Sequence, residues 1–432
     1  MRTVARPYRM LPMAVTVGAG LALFLLAGCA ASSRDLILGA ISARTGRAPA
    51  DITPEDIDNT RQLDLSHSAV SDLGEMARLK NLERLRLYDT KVADLSPLKG
   101  LKNLKVLEVP KTPVADLSPL AGMTSLEELW IDETPVADLS PLKDLPNLRR
   151  LSFHDTRVTD LRPLEGMKGL ELLSLGGTQV ADLSPLAGLV NLKGLGLDRT
   201  PVADLGPIRG LTKLEDLGFD GTRVRSLEPI AGMTAMGHLG LRRTAVSDLS
   251  PLAGMVKLWS LDILGTAVSD LSPLAGMAKL QRLDILGTPV SDLRPIGGLV
   301  GLRSLRLPDT RVADLSPLKS LTNLELLWID GTHVSDLSVV AGMTRLEWFS
   351  CGGTPVADLG PLRGLTRLRQ LYLKGAPVSD LEPVRGLVRL EVLDLTGTKV
   401  SDLSPLKGLP VLKEVRLGGT PAAARGESWR PR

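Results

Sequence analysis

The chain has 432 residues and a formal net charge of +3, and 43% of its residues are hydrophobic but only 3% are aromatic. So many apolar side chains exclude a disordered chain, and the core must be built mainly from Leu and Val. Arg2, Arg6 and Arg9 precede Cys29, and basic and acidic residues balance beyond it, so no basic excess indicates nucleic-acid binding.

The first segment has the features of an export signal. A basic leader precedes an uncharged run from Met10 to Ser33, which contains Leu26-Ala27-Gly28-Cys29. Small residues followed by a cysteine resemble the lipobox of bacterial lipoprotein signal peptides, in which lipid on the cysteine anchors the mature chain. The resemblance implies a signal peptide over residues 1–28, a lipidated linker over residues 29–33 and lipid attachment at Cys29.

An ordinary cleaved signal and an uncleaved membrane helix remain alternatives, since the uncharged run is long enough to span a bilayer. All three alternatives export the rest of the chain. Ala30 and Ala31, rather than Asp, follow the cysteine. In the lipoproteins that this segment resembles, such residues are compatible with sorting to an outer membrane. We therefore expect a lipid-anchored protein of the bacterial cell envelope, on a membrane face that the sequence leaves open.

Residues 34–62 have the features of a small helical segment. Asp35 to Ala43 is amphipathic. Thr53-Pro54-Glu55-Asp56 has the form of a capped helix start just before Leu63.

A repeat of 22 residues begins at Val70, and a Val recurs at this spacing through Val400 without a single insertion. Leu95 has an equivalent in every unit, whereas Asp94 and Thr112 each lack one in a single unit. A period this short identifies leucine-rich repeats, so residues 63–420 are expected to form a solenoid.

The letters of one unit predict its conformation. In Leu104-x-x-Leu107-x-Val109, Leu107 and Val109 alternate with outward residues, which predicts a short strand. Stacked units then place a parallel sheet on the inner wall. Ser96-Pro97 predicts an N-cap and the first residue of a brief 3₁₀ turn on the outer wall, and Gly100 predicts a left-handed end to that turn.

Two recurrent polar residues are expected to have a structural role in each coil rather than a role in catalysis or metal binding. The hydroxyl of Thr112 and its equivalents is predicted to bridge backbone groups of neighbouring coils. The carboxylate of Asp94 and its equivalents is predicted to accept from backbone N–H groups of the following turn. A side chain repeated in every coil indicates a structural need, so this row of carboxylates does not predict catalysis or a metal.

The units resemble those of internalin-type bacterial leucine-rich-repeat proteins, through the pattern Leu-x-Leu-x-x-Thr-x-Val-x-Asp-Leu-Ser-Pro-Leu. The resemblance implies a leucine-rich-repeat solenoid with a parallel β-sheet on the concave face, short 3₁₀ turns and loops on the convex face, and a small helical N-terminal cap over residues 34–62. Thr stands where most such repeats carry Asn. Residues 421–432 are predicted to be a short polar tail, which leaves open how the last coil is shielded. An invasion role known for some internalins does not transfer.

Specificity is expected from positions that vary between units, because the recurrent positions build the coil. Trp328, Trp348 and Tyr372 fall on three successive coils and on one face. Large exposed aromatics in a cluster predict a partner-binding surface. The alternative is that the three rings stack on one another and stiffen the sheet.

Charged residues precede this aromatic cluster. Asp262 and Asp284, with Arg282 and Arg306, predict an exposed ion-pair network that orients a partner. Trp259 occupies a usually charged position just before a strand and is expected to pack along the flank.

The middle of the wall is rich in glycine. Trp130 and His154 are predicted to stand at one end of a trough of glycines, which are Gly194, Gly196, Gly218 and Gly240, with Gly176 beside them. Close approach of a ligand chain and drift at tolerant positions are equally good explanations of the glycines. Three carboxylates nearby could suit a hard cation, namely Asp198, Asp216 and Asp220. Arg199 and Arg242 are expected close enough to neutralise these carboxylates instead.

The sequence does not favour an enzyme, a cofactor or a metal. We expect no histidine to form a triad-like group with a Ser or Cys and a carboxylate on adjacent coils, and Cys351 replaces an inward strand residue. The favoured function is an exported, membrane-anchored binding protein that recognises a protein or peptide on its concave face. A structural envelope protein assembling end-on through the last coil and a glycan-binding module are the alternatives, and self-association stays open.

Overall fold

The computed structural model describes residues 32–428, so the predicted signal peptide and Cys29 lie outside the described residues. The chain divides into two compact units, one up to Val158 and one from Thr159 onward. No helix within the described part is both long enough and apolar enough to cross a membrane.

The first unit begins with two helices, α1 (Ser33–Thr45) and α2 (Pro54–Asp58). Ile37 and Ile41 of α1 are buried, each 1% exposed, which makes this helix part of the core. The Thr53 hydroxyl accepts from the backbone N–H of Asp56, the third residue of α2, so the predicted capped helix start is confirmed.

Five short parallel strands follow in the first unit, and each residue pairs with its equivalent one repeat later, as Leu63 pairs with Leu85. The strands are β1 (Gln62–Asp64), β2 (Arg84–Arg86), β3 (Val106–Glu108), β4 (Glu128–Trp130) and β5 (Arg150–Ser152).

The second unit continues the pattern with twelve parallel strands and a short final helix, α3 (Pro421–Ala424). The strands are β6 (Leu172–Ser174), β7 (Gly194–Gly196), β8 (Asp216–Gly218), β9 (His238–Gly240), β10 (Ser260–Asp262), β11 (Arg282–Asp284), β12 (Ser304–Arg306), β13 (Leu326–Trp328), β14 (Trp348–Ser350), β15 (Gln370–Tyr372), β16 (Val392–Asp394) and β17 (Glu414–Arg416).

The core is a stack of inward-facing aliphatic side chains. Leu107 and Val109 are fully buried, as the alternation predicts. Each coil then makes a 3₁₀ turn, from Gly74–Arg78 in the first coil to Ser404–Gly408 in the last. The predicted leucine-rich-repeat solenoid, with strands on one wall and 3₁₀ turns on the other, is therefore confirmed.

The recurrent Asp opens the 3₁₀ turn. Asp94 Oδ1 accepts from the backbone N–H of Ser96 at 2.8 Å, which confirms the predicted role of the Asp. The predicted N-cap role of Ser96 is wrong, because Leu95 occupies the cap position and makes no side-chain hydrogen bond there. The Asp two residues ahead of the turn already supplies the acceptor that a capping Ser would offer.

The recurrent Thr acts within its own coil. Thr112 Oγ1 donates to the carbonyl oxygen of Val109 at 2.7 Å, so the predicted bridge between neighbouring coils is wrong. This hydroxyl closes the turn that follows the strand, and the residue before it, Lys111, is left-handed with φ of 55°. The predicted left-handed conformation holds at Gly122, with φ of 75°, whereas its equivalent Gly100 does not adopt it.

The last coil is better covered than a polar tail predicts. Ala422 of α3 is fully buried, and its backbone N–H donates to the carbonyl oxygen of Val400 at 3.1 Å. Thr420 caps α3 by accepting from the N–H of Ala423 at 3.1 Å. Small alanines let this helix lie directly against the preceding coil.

Removing one buried Thr hydroxyl should destabilise the second unit. In Thr178→Val, the Leu175 carbonyl loses its 2.7 Å hydroxyl donor in a fully buried site, which we expect to lower the free energy of unfolding by about 1 kcal/mol. Thr396→Val makes the same chemical change at a partly exposed hydroxyl and should stay within about 0.5 kcal/mol of the wild type. Urea unfolding followed by circular dichroism measures both, and equal losses would contradict a structural role for the buried hydroxyl.

Candidate partner-binding wall

The aromatic cluster lies on adjacent strands of the second unit, as predicted. Trp328 and Tyr372 both pair with Ser350 from opposite sides, and Trp348 lies two residues before Ser350 on the intervening strand β14. All three aromatic side chains are partly exposed rather than part of the core. We call the outward-facing side chains of β10–β15 the strand wall.

The alternative in which the three rings stack on one another is not observed. Within residues 32–428, the aromatic ring contacts join His67 to Tyr88 and His238 to Trp259. Trp328 and Tyr372 are two strands apart, a spacing of about 10 Å. The aromatic faces are therefore available to something other than each other.

Trp328 is held in place by a cation. The guanidinium carbon of Arg306 lies 4.4 Å from the Trp328 ring centre, and Arg306 Nη1 lies 3.7 Å from Asp284 Oδ2. A guanidinium over an indole face is a favourable contact that orients both groups. The structure thus brings the predicted residues Asp284, Arg306 and Trp328 together on three successive strands.

The charged network is buried, not exposed as predicted. Asp262 is 8% exposed, and the side chains of Asp284 and Arg306 are 12% and 18% exposed. Both carboxylates bend back to accept from the backbone, Asp262 from the N–H of Leu264 at 3.3 Å and Asp284 from that of Leu286 at 3.2 Å. A short side chain that bonds its own backbone stays against the sheet, which explains the difference.

Arg242 takes the place in this network that the sequence assigned to Arg282. Its guanidinium binds Asp262 Oδ2 and lies 3.7 Å from Asp220 Oδ2, whereas Arg282 is exposed. Sequence reasoning placed Arg242 beside the neighbouring carboxylates but did not include it in this network. The succession of acidic residues and arginines in neighbouring coils could have indicated that Arg242 belongs to this network.

Burial and like charge perturb two carboxylates of this row. Burial raises the pKa of Asp284 to about 6, with the Asp262 charge acting in the same direction. Burial and the charge of Asp198 raise the pKa of Asp220 to about 6. Both groups therefore change charge closer to neutral pH than an ordinary carboxyl does.

The glycine trough has a structural reason that the sequence did not reveal. A Cβ at Gly218 would lie 3.1 Å from Asp198 Oδ1, and a Cβ at Gly240 would lie 3.2 Å from Asp220 Oδ1. Asp198 Oδ1 also accepts from the backbone N–H of Asp220 at 2.9 Å. The glycines make room for carboxylates that tie neighbouring coils together.

Contrary to the sequence expectation, one histidine does stand between a carboxylate and a serine: His238 Nδ1 lies 3.3 Å from Asp216 Oδ1, and His238 pairs with Ser260 on the next strand. Within residues 32–428, no hydrogen bond joins the side chains of His238 and Ser260, and no group of three or more His, Cys, Asp or Glu residues could hold a metal ion.

Trp130 and His154 belong to the first unit, apart from the residues above. Trp130 is partly exposed on β4. His154 lies just after β5, where its Nε2 is 3.6 Å from Asp132 Oδ1 and its Nδ1 is 3.2 Å from Asp155 Oδ2. Burial raises the pKa of Asp132, and the neighbouring His154 acts in the opposite direction.

Cys351 is fully buried and faces inward, in agreement with the sequence prediction. Burial raises the pKa of its thiol, which keeps the side chain in the protonated, unreactive form. Its surroundings are those of a small apolar core residue.

Protonation of Asp284 should stabilise the second unit in mild acid. Because its folded-state pKa of about 6 lies above the ordinary value of 3.8, the native state binds this proton more tightly than the unfolded chain does. The contribution is fully present below about pH 4 and is lost as the pH rises through about 6. Between about pH 7 and about pH 5, we expect the wild type to gain about 1–2 kcal/mol relative to Asp284→Asn. Urea unfolding at both pH values measures the difference, and Asp309→Asn at an exposed site should follow the wild type.

Comparisons with known proteins agree with this architecture. A family model described as leucine rich repeats (2 copies) matches residues 146–188. No curated protein matches the chain by sequence. An internalin of Listeria monocytogenes, InlF, is 28% identical, with 75% of this chain and 98% of that chain covered and a TM-score of 0.68.

Two more distant structures share the fold. A leucine-rich-repeat protein of Leptospira interrogans is 18% identical over 84% of this chain and 97% of that chain, with a TM-score of 0.65. The plant peptide hormone receptor RGFR1, solved in complex with RGF2, is 17% identical over 79% of this chain and 64% of that chain, with a TM-score of 0.63. By its repeats and its architecture the chain is a leucine-rich-repeat solenoid, and the solved structures that it is similar to include the internalin InlF.

Proposed function

We propose that this protein is exported, anchored to a membrane of the bacterial cell envelope through lipid on Cys29, and recognises a protein or peptide partner on its strand wall. The observation that carries the proposal is the partly exposed group Trp328, Trp348 and Tyr372 on three adjacent strands. Large aromatics are enriched among the residues that dominate binding energy at protein interfaces, and these three are not used to fill the core.

The strand wall is suited to recognition by a preformed surface. Each strand is only three residues long but is paired on both sides in strict register, which fixes the outward side chains before a partner arrives. A surface that does not need to order itself loses less free energy on binding. RGFR1 shares this fold and was solved in complex with RGF2, which supports a peptide or protein as the class of partner.

The largely buried charges beside the aromatic residues are expected to orient the partner. The Arg306 guanidinium covers Trp328 on one side and is close to Asp284 on the other, so polar and apolar surfaces meet along β11–β13. Charges fixed in this way favour one orientation of a partner and disfavour others. The outer membrane remains our expectation for the site of anchoring.

Replacing the aromatics should abolish recognition without unfolding the protein. The triple variant Trp328→Ala, Trp348→Ala, Tyr372→Ala removes the exposed rings, and we expect it to lose at least a hundredfold in affinity, since such anchors contribute about 2 kcal/mol or more each. The measurement captures envelope or secreted partners on the wild type, identifies them by mass spectrometry and titrates each purified partner against both proteins.

Trp259→Ala is the matched control, because Trp259 is also exposed but lies just before a strand instead of on the wall. It should bind the partner as the wild type does. Circular dichroism of the triple variant should match that of the wild type. Undiminished capture by a folded triple variant would contradict recognition through the wall.

Anchoring through Cys29 predicts metabolic labelling. Cells that express the protein and are fed labelled palmitate should incorporate label into the wild type and not into Cys29→Ser, which lacks the thiol. The wild type should fractionate with the membrane, whereas the variant should be released or retained with an uncleaved signal. An unlabelled wild type would exclude lipid anchoring while leaving recognition by the wall intact.

A further inference from the structure

The residue just before each strand forms a ladder of alternating charge along one flank of the second unit. Lys193 Nζ lies 2.9 Å from Glu171 Oε2 on the preceding coil, and Arg303 Nη1 lies 3.0 Å from Glu325 Oε1 on the following one. The residues of this flank column are Glu171, Lys193, Glu215, Gly237, Trp259, Gln281, Arg303, Glu325, Glu347, Arg369, Glu391 and Lys413. Ion pairs between neighbouring coils are thus the ordinary use of this column.

The ladder is interrupted at three successive coils, by Gly237, Trp259 and Gln281. The Trp259 indole lies against the backbone of the preceding coil, since a Cβ at Gly237 would be 2.9 Å from its Nε1. The ring of His238 supports it, with ring centres 5.9 Å apart. Trp259 nevertheless remains 36% exposed, so an aromatic face is fixed at the surface on a bare stretch of backbone.

The interruption forms a cleft of about 830 Å³ with an excess of positive charge. Lys257, Lys279 and Arg345 line it together with Trp259. None of these three cations forms an ion pair or a hydrogen bond through its side chain with any residue from 32 to 428. Glu215 is the one acidic residue of the lining.

We propose that this flank cleft binds an anionic oligosaccharide. The C–H face of a pyranose ring would lie on the Trp259 indole, whose electron-rich face attracts the slightly positive hydrogens. Its carboxylate or sulfate would lie between Lys257 and Lys279, which stand on neighbouring coils about 5 Å apart. Such a ligand matches the two features that the cleft combines, a flat apolar platform and unpaired cations.

An acidic peptide fits this cleft less well. One common mode of peptide binding, in which the peptide pairs with a free strand edge, is closed here because β10 and β11 are hydrogen-bonded on both sides, to β9 and to β12. The cleft also offers one aromatic platform, the Trp259 indole beside Gly237, instead of the series of pockets that successive peptide side chains would need. The cleft lies beside the strands rather than on their outward face, so this site is separate from the strand wall and does not rest on the function proposed for it.

The test titrates the full-length protein, purified in detergent, with tetragalacturonate and with a heparin tetrasaccharide, which present carboxylates and sulfates respectively. Neutral maltotetraose and the acidic peptide tetraglutamate are the comparison ligands. We expect at least one anionic sugar to bind and both comparison ligands to bind at least tenfold more weakly. Raising the salt from about 0.1 M to about 1 M should weaken binding, since the Debye length falls from about 10 Å to about 3 Å.

Variants separate the two parts of the site. Trp259→Ala should weaken sugar binding at least tenfold, Trp259→Phe should retain most of it, and Lys257→Glu with Lys279→Glu should abolish it. The matched control, Arg367→Glu with Arg389→Glu, reverses two charges at equivalent positions of the same flank outside the cleft and should change affinity less than about twofold. The triple variant of the strand wall should bind the sugar normally.

Three outcomes would overturn the proposal. Equal binding of tetraglutamate, or no effect of a folded Trp259→Ala, would show simple attraction of anions to a basic surface. Binding of maltotetraose as tight as that of the anionic sugars would remove the role of the lysines. Failure of both anionic sugars to bind at millimolar concentration would exclude this ligand class at the cleft.

Discussion

Within each of the two units, successive coils are tied together by the same backbone hydrogen bonds, and this register constrains the rest of the structure. The N–H of Val109 donates to the carbonyl oxygen of Trp130 at 2.8 Å, and Leu107 pairs with Leu129 in the same frame. A slip of one residue would turn the inward leucines toward solvent, because successive strand residues face opposite sides. A strand of three residues cannot resist such a slip alone, so the coil depends on its neighbours.

The repeat itself was predictable because periodicity reports which positions are equivalent. Equivalence is sufficient to place Leu107 in the core and the 3₁₀ turn after the strand, whereas the helix start at Thr53 was predictable from its capping motif. It does not tell which partner a polar atom chooses. The recurrent position of Thr112 was therefore predicted correctly but its acceptor was not, since its hydroxyl donates to the Val109 carbonyl three residues earlier in the same coil.

At the variable positions, the sequence predicted correctly which side chains face outward from the strands but not how far each one is buried. Trp328 and Tyr372 are too large to fold back against the sheet, so their exposure follows from their column. Asp262 and Asp284 are short enough to bond the backbone two residues on, and they become buried in columns that were expected to be exposed. Arg242 joins them from a neighbouring column, a contact that depends on side-chain conformation.

Because most positions recur in every coil, a residue that departs from its column can be interpreted. Where a column of alternating charges holds its coils together, loss of those charges weakens the flank unless another contact replaces them. At Trp259 the replacement is an indole laid on Gly237, but the adjacent lysines gain no partner from it. A core requirement does not account for the tryptophan, because its ring is partly exposed. Solubility would account for exposed lysines alone, but it does not account for their position beside a fixed indole in the same cleft, and it is this combination that indicates a ligand.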